Sequence, residues 1–119
     1  MREKVILLLP LRFNDGSGVP KDTLDGFLLD LYTAYDGYTL VGEVEGAYRM
    51  QSGGKQIDTC LQVWVAVESS PDVFEGLKQR VANFGAVLGQ ETMYLERTGS
   101  AVEFIPAAPQ PEPRNEHDQ

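Results

Sequence analysis

"IDTCLQVWVAVE", residues 57–68, decides the fold. Ile57, Thr59, Leu61, Val63, Val65 and Val67 fall on one parity, and Asp58, Cys60, Gln62, Trp64 and Ala66 on the other. Successive residues of a strand point to opposite faces, so the first parity is one continuous buried face. The second parity turns apolar toward its end, which marks a strand covered on both sides and central in its sheet. The N-terminal run "KVILLLPLR", residues 4–12, has the same character: Val5, Leu7 and Leu9 on one parity, Ile6 and Leu8 on the other.

The elements between and around these two strands follow from their periods. "FNDGSG", residues 13–18, breaks the first strand, and Pro20 suits the first turn of a helix. Leu24, Phe27, Leu28, Leu31, Tyr32 and Tyr35 then recur at three- and four-residue spacing as one apolar stripe, ended by Asp36-Gly37. Tyr38–Met50 alternates again, with Tyr38, Leu40, Val44, Tyr48 and Met50 on the parity expected to face the helices. Glu43, Glu45 and Arg49 are expected to face away. Ser52-Gly53-Gly54-Lys55 supplies a hairpin turn into residues 57–68. Ser69-Ser70-Pro71-Asp72 reads as a capped helix start, and Val73, Phe74, Leu77, Val81, Phe84 and Leu88 carry the helix toward Gly89. Thr92–Arg97 forms a last strand, with Val102–Ile105 as a short extra edge strand.

The order is β-α-β-β-α-β, the ferredoxin-like α+β arrangement: a four-stranded antiparallel sheet with both helices on one face. Its first and third strands are central, and these are the two that read apolar on both faces. Residues 1–105 are one domain. From Pro106 the chain carries four prolines, several charges and no large apolar residue, so residues 106–119 read as a flexible, Pro-rich acidic tail.

The runs "FNDGSGVPKDTLDGFLLDLYTAYDGYTLVGEVEGAY" and "FGAVLGQETMYLE" carry a resemblance. Through Gly37, Tyr38, Thr39, Gly42, Gly46, Gly89, Gln90 and Glu91, roughly residues 13–96 resemble a bacterial family of small ferredoxin-like domains of unknown function. The chain departs from that pattern by inserting Ala-Val-Leu after Phe84-Gly85. The resemblance implies the fold and brings no activity or catalytic residue.

Composition excludes several functions. Eighteen acidic against ten basic residues give a net charge of −8, a field that repels nucleic acid and anionic membranes. Cys60 is the only cysteine, so neither an internal disulfide nor a cysteine zinc site is expected. His117 is the only histidine and lies in the tail, which leaves no histidine for a catalytic triad, a metal site or a pH switch in the core. The N-terminal apolar run is short and interrupted by Pro10, and reads as a strand rather than a signal peptide. A cytoplasmic location is the expectation, with no cofactor, no metal, no nucleic acid and no membrane.

Two surfaces carry chemistry. Glu43 and Glu45 stand roughly 7 Å apart along one strand face, beside Tyr48 and Arg49. They read first as a solvated edge strand protected against pairing, and second as an acid–base set or, with Asp58 or Glu91, an oxygen-donor cation site. Tyr48, on the other parity, reads as core, and "FNDGSG" as a plain loop. Gln90-Glu91 is a polar pair at a helix end. The second surface is the sheet face away from the helices, where Ile6, Leu8, Cys60 and Trp64 are expected together with Tyr94 nearby. So large an apolar patch is seldom left open by a soluble monomer. The leading expectation is therefore a homo-oligomer, a dimer, whose outer sheet face binds a small-molecule or protein ligand. The alternatives are a cofactor-independent enzyme of the dimeric α+β-barrel type using Glu43, Glu45, Tyr48 and Arg49, and an acidic protein-interaction module.

Overall fold

The computed structural model describes residues 1–109; the part of the expected tail from residue 110 on lies outside them. Six elements follow in the expected order: β1 (Arg2–Pro10), α1 (Lys21–Tyr35), β2 (Thr39–Arg49), β3 (Lys55–Glu68), α2 (Pro71–Val87) and β4 (Tyr94–Val102). The sheet runs β2-β3-β1-β4 with every neighbouring pair antiparallel, so the fold is ferredoxin-like α+β. Among the described residues no helix is long and apolar enough to cross a membrane.

The core lies between the sheet and the two helices. Val5, Leu7 and Leu9 of β1 and Val63, Val65 and Val67 of β3 pack against Phe27, Leu28 and Leu31 of α1 and Phe74, Leu77, Val81 and Phe84 of α2. Stacked rings of Phe27 and Phe84, with centroids 4.3 Å apart and 7° between planes, join the helices. Above them Arg80 of α2 donates to Asp30 of α1. Tyr32 is the exception to the predicted stripe: it is 58% exposed, one residue past the packed position Leu31.

Helix ends are set by backbone geometry. Asp36 adopts φ 68° and closes α1 through its N–H to the Tyr32 carbonyl. Ser70 precedes Pro71 as expected but makes no side-chain cap bond. At the far end of α2, Gly89 (φ 67°) donates to the Ala86 carbonyl at 3.1 Å and Gln90 to the Gly85 carbonyl at 2.9 Å. This paired closure needs a left-handed residue, which glycine supplies without strain.

Two differences from the sequence reading bear on function. Val102 is the last residue of a continuous β4 rather than the start of a separate strand, and residues 103–105 lie outside any strand. Gly99 (φ 71°) and the Thr98 hydroxyl, which donates to the Lys4 carbonyl at 2.7 Å, accommodate a register shift opposite Glu3–Val5. The second difference is in β2. Leu40 pairs with Val63, but the next pair is Gly42 with Gln62, so Val41 is an extra residue, a β-bulge, beside Gly42 at φ 146°. A single inserted residue exchanges the faces of all that follows. Glu43, Glu45 and Arg49 therefore pair with Leu61, Thr59 and Lys55 on the helix side, while Val44 and Tyr48 pair with Cys60 and Gln56 on the outer face. This inverts the faces expected for these residues.

Candidate functional site

Among the described residues, no helix lies over the outer face of the sheet. Directly opposed residues of antiparallel strands share a face, which places Ile6 with Trp64 and with Glu96, Leu8 with Gln62 and with Tyr94, and Cys60 with Pro10 and Val44. The expected group of Ile6, Leu8, Cys60, Trp64 and Tyr94 thus converges on one surface. Lys4 lies across Trp64, its Nζ 4.0 Å from the ring centroid. The Trp64 indole Nε1 is buried with no hydrogen-bond partner among the described residues.

Glu43, Glu45, Tyr48 and Arg49 do not form one cluster, because alternation along β2 puts Tyr48 on the opposite face from the other three; the bulge exchanges the faces of the whole set. Nor does a cation site assemble from Glu43, Glu45, Asp58 and Glu91: Asp58 is paired with Gly46 on the outer face, away from both glutamates of β2. Among the described residues no three His, Cys, Asp or Glu side chains stand close enough to hold a metal ion.

A cleft of about 380 Å³ lies instead over the hairpin end of the outer face. Leu8 and Cys60 line its apolar part, with Tyr48 from β2 and Tyr94 from β4 on opposite edge strands. The Tyr48 ring folds back over Gly46: a Cβ there would lie 2.6 Å from the phenol oxygen and 2.8 Å from Cε2. Gly46 is thus the position that lets this tyrosine lie across the sheet. Tyr94 donates to Glu96 Oε1 at 2.7 Å, and that bond to the carboxylate is the main cause holding its phenol above its ordinary range.

The polar rim comes from three segments remote in sequence. Gln90 Nε2 donates to Asn14 Oδ1 at 3.1 Å, and Asn14 Nδ2 donates to the Gly89 carbonyl at 3.0 Å. This chain ties "FNDGSG" to the end of α2 and sets Glu91 at the cleft. Asp58 is half-buried on β3 and accepts from Gln56 Nε2 at 2.8 Å. Its charge, after burial itself, helps push the Cys60 thiol up to about 11, so Cys60 is a protonated, poorly nucleophilic wall of the cleft.

A second cleft, about 470 Å³, lies at the other end of the sheet beside Lys4, Tyr38, Trp64 and Phe104. Arg2 stands 5.6 Å over the Phe104 ring and also faces Asp36 and Glu68.

Sequence reasoning placed Tyr48 in the core and did not connect Asn14 with Gln90-Glu91. A glycine inside a strand pattern is a bulge signal, and Gly42 was the readable hint for Tyr48. The Asn14–Gln90 contact spans 76 residues and has no local signature.

Comparison with known proteins gives the fold and no family. No family model matches the chain, and no curated protein does. The resemblance to a bacterial family of unknown function is therefore carried by the fold alone. Among solved structures, the chain is similar to the divalent cation tolerance protein CutA1 of Thermus thermophilus, at 19% identity and TM-score 0.61, over 87% of this chain and 88% of that one. It is also similar to a phage SAM lyase solved in complex with S-methyl-5′-thioadenosine, at 13% identity and TM-score 0.62, over 82% of each chain.

Proposed function

We propose that the chain works as a homodimer closed on its outer sheet face, and that it binds a small organic ligand in the cleft between Tyr48 and Tyr94. The carrying observation is the composition of that face. Ile6, Leu8, Val44, Trp64 and Ala66 lie on it with no covering layer, while the opposite face of the same strands is sealed by two helices. Four strands at about 4.8 Å spacing, nine to fourteen residues long, span roughly 19 by 40 Å. That footprint is close to the ~800 Å² per partner of a stable pair.

A second copy fits this face by its apolar middle. A two-fold axis between Ile6 and Leu8 lays that middle on the same residues of the partner, the self-complementarity that an isologous interface requires. The cleft would then be open on the monomer and roofed in the dimer.

A second reading, catalysis on a small organic substrate, draws on the same cleft. Asp58 and Glu91 with the phenols of Tyr48 and Tyr94 are the kinds of group that proton transfer uses.

Sedimentation velocity tests the assembly. The wild type is expected to run as a dimer and Trp64→Glu as a folded monomer, with circular dichroism checking the fold. A monomeric wild type at micromolar concentration refutes the interface. Calorimetric titration with S-methyl-5′-thioadenosine, the compound bound by the phage lyase, is the first trial of the cleft, and Tyr48→Leu is expected to weaken any binding at least fivefold.

A further inference from the structure

The charged groups of the cleft point to the kind of ligand it takes. Two carboxylates, Asp58 and Glu91, line it, while the side chain of Arg49 belongs to the opposite parity of β2. Neither carboxylate is in an ion pair among the described residues; Asp58 has only the neutral amide of Gln56, and Glu91 has no donor. A half-buried carboxylate with a single neutral donor is left short of the counter-charge that partial desolvation demands. Glu96, held by Tyr94, adds a third carboxylate on the same face.

The walls add a second, independent preference. The faces of Tyr48 and Tyr94 are electron-rich and attract a cation held within about 6 Å of the ring centre. The phenol end of the Tyr48 ring folds back over Gly46 of the same strand, so the ring stays close to the outer face. Leu8 and Cys60 provide an apolar bed on which a flat ring can rest. The net charge of −8 concentrates cations at the mouth of the cleft and repels anions.

We infer that the cleft takes a small organic cation bearing a flat ring, with the ring against Tyr48 and the positive charge facing Asp58 and Glu91. This rests on the reading that the cleft holds a ligand, and the test separates the two. Isothermal titration of the full-length chain at pH 8 compares pairs that differ only by a methyl group and a positive charge. One pair is nicotinamide and 1-methylnicotinamide; the other is S-methyl-5′-thioadenosine and its S-methyl sulfonium.

The charged member of a pair is expected to bind at least tenfold tighter than its neutral twin. The double variant Asp58→Asn/Glu91→Gln should bring the two within twofold of each other. Equal or tighter binding of the neutral members, weakened by Tyr48→Leu, would overturn the cation inference and leave the cleft reading standing. Saturation by none of the four compounds would overturn both. A charge preference that survives in the double variant would also overturn the assignment, because the attraction would then come from the overall field and not from these two carboxylates.

Discussion

Two glycines of the same helix should respond in opposite directions to the same substitution. Gly76 and Gly85 both lie within α2 with ordinary helical backbone, and replacing either by alanine removes the entropic penalty of glycine, worth about 0.8–1 kcal/mol. At Gly76 nothing lies within 4 Å of the added methyl group, so Gly76→Ala is expected to stabilise by close to that amount. At Gly85 the new Cβ would stand 2.6 Å from Met93 Cγ and 3.3 Å from its Sδ. Met93 leads into β4 and lies against this helix, and overpacking of this kind costs about 1–3 kcal/mol. The net effect at Gly85 is therefore between neutral and about 2 kcal/mol destabilising. For a domain of this length 1 kcal/mol moves the melting midpoint by roughly 4 °C, so the two variants should differ by about 4–12 °C. Thermal melts by circular dichroism read the difference directly. Adding Met93→Ala to both backgrounds completes the argument: Gly85→Ala should turn stabilising once Met93 is gone, while Gly76→Ala should be unchanged. Equal stabilisation by both single variants would refute the packing of Met93 on Gly85, and with it the seating of β4 against α2 that holds Tyr94 at the cleft.

Other expectations follow from single contacts. Gly46→Ala should push the Tyr48 ring off the sheet at little cost in stability, because the clashing atoms belong to a side chain free to swing, and should weaken ligand binding at the cleft about as much as Tyr48→Leu; unchanged affinity with displaced tyrosine fluorescence would remove Tyr48 from the site. Glu3, buried on the helix side, accepts from Arg97 at 3.1 and 3.2 Å, and the Arg97 guanidinium lies 3.6 Å from the Phe74 ring centre. These bonds hold the Glu3 carboxyl below its usual range, so its contribution is present above the unfolded carboxylate value and lost as pH falls through the lower folded one. Melting midpoints taken from pH 7 down to pH 3 should fall less steeply for Glu3→Gln than for the wild type; parallel curves would refute the coupling. With its thiol pushed up to about 11 by burial and by Asp58, Cys60 should react with iodoacetamide at pH 8 far more slowly in the native chain than in urea. Mass spectrometry follows the adduct, and equal rates would place Cys60 in solvent.

The parts of the fold that the sequence made legible are those in which one local pattern reports one environment. Val5, Leu7, Leu9, Val63, Val65 and Val67 alternate because they face a single core, and Ile6, Leu8, Trp64 and Ala66 alternate against them because they lie on the other side of the same two strands. The part of the outer face that β1 and β3 supply could be read residue by residue on that account. Burial at both parities identified the two central strands, and centrality together with the element order is nearly the whole topology. The helix ends were legible through Pro20, Asp36, Pro71 and Gly89, whose backbone preferences act within a single turn.

The cleft was illegible for two different physical reasons. Asn14, Asp58, Gln90 and Glu91 come together only because the end of β1, the start of β3 and the end of α2 meet at the same end of the sheet, and no periodicity within one segment encodes a meeting of three. Tyr48 is a different case. Its environment is decided by the bulge at Val41, seven residues earlier, where one extra residue enters the pairing beside Gly42. Alternation is a relative measure: it tells which residues share a face but not which face they share, and an insertion resets the reference without leaving a mark on the residues downstream. Val44 and Tyr48 still alternate against Glu43, Glu45 and Arg49, as the sequence says they should, while the whole set has changed sides. The exchange has a functional consequence. Without it two glutamates would stand beside Trp64 and Cys60 on the face with the most exposed apolar surface. With it, that face receives a valine and a tyrosine, and the glutamates go to the exposed side of an edge strand, where charge discourages pairing with other chains. The bulge thus makes the outer face apolar enough to be covered and at the same time sets one aromatic wall of the cleft.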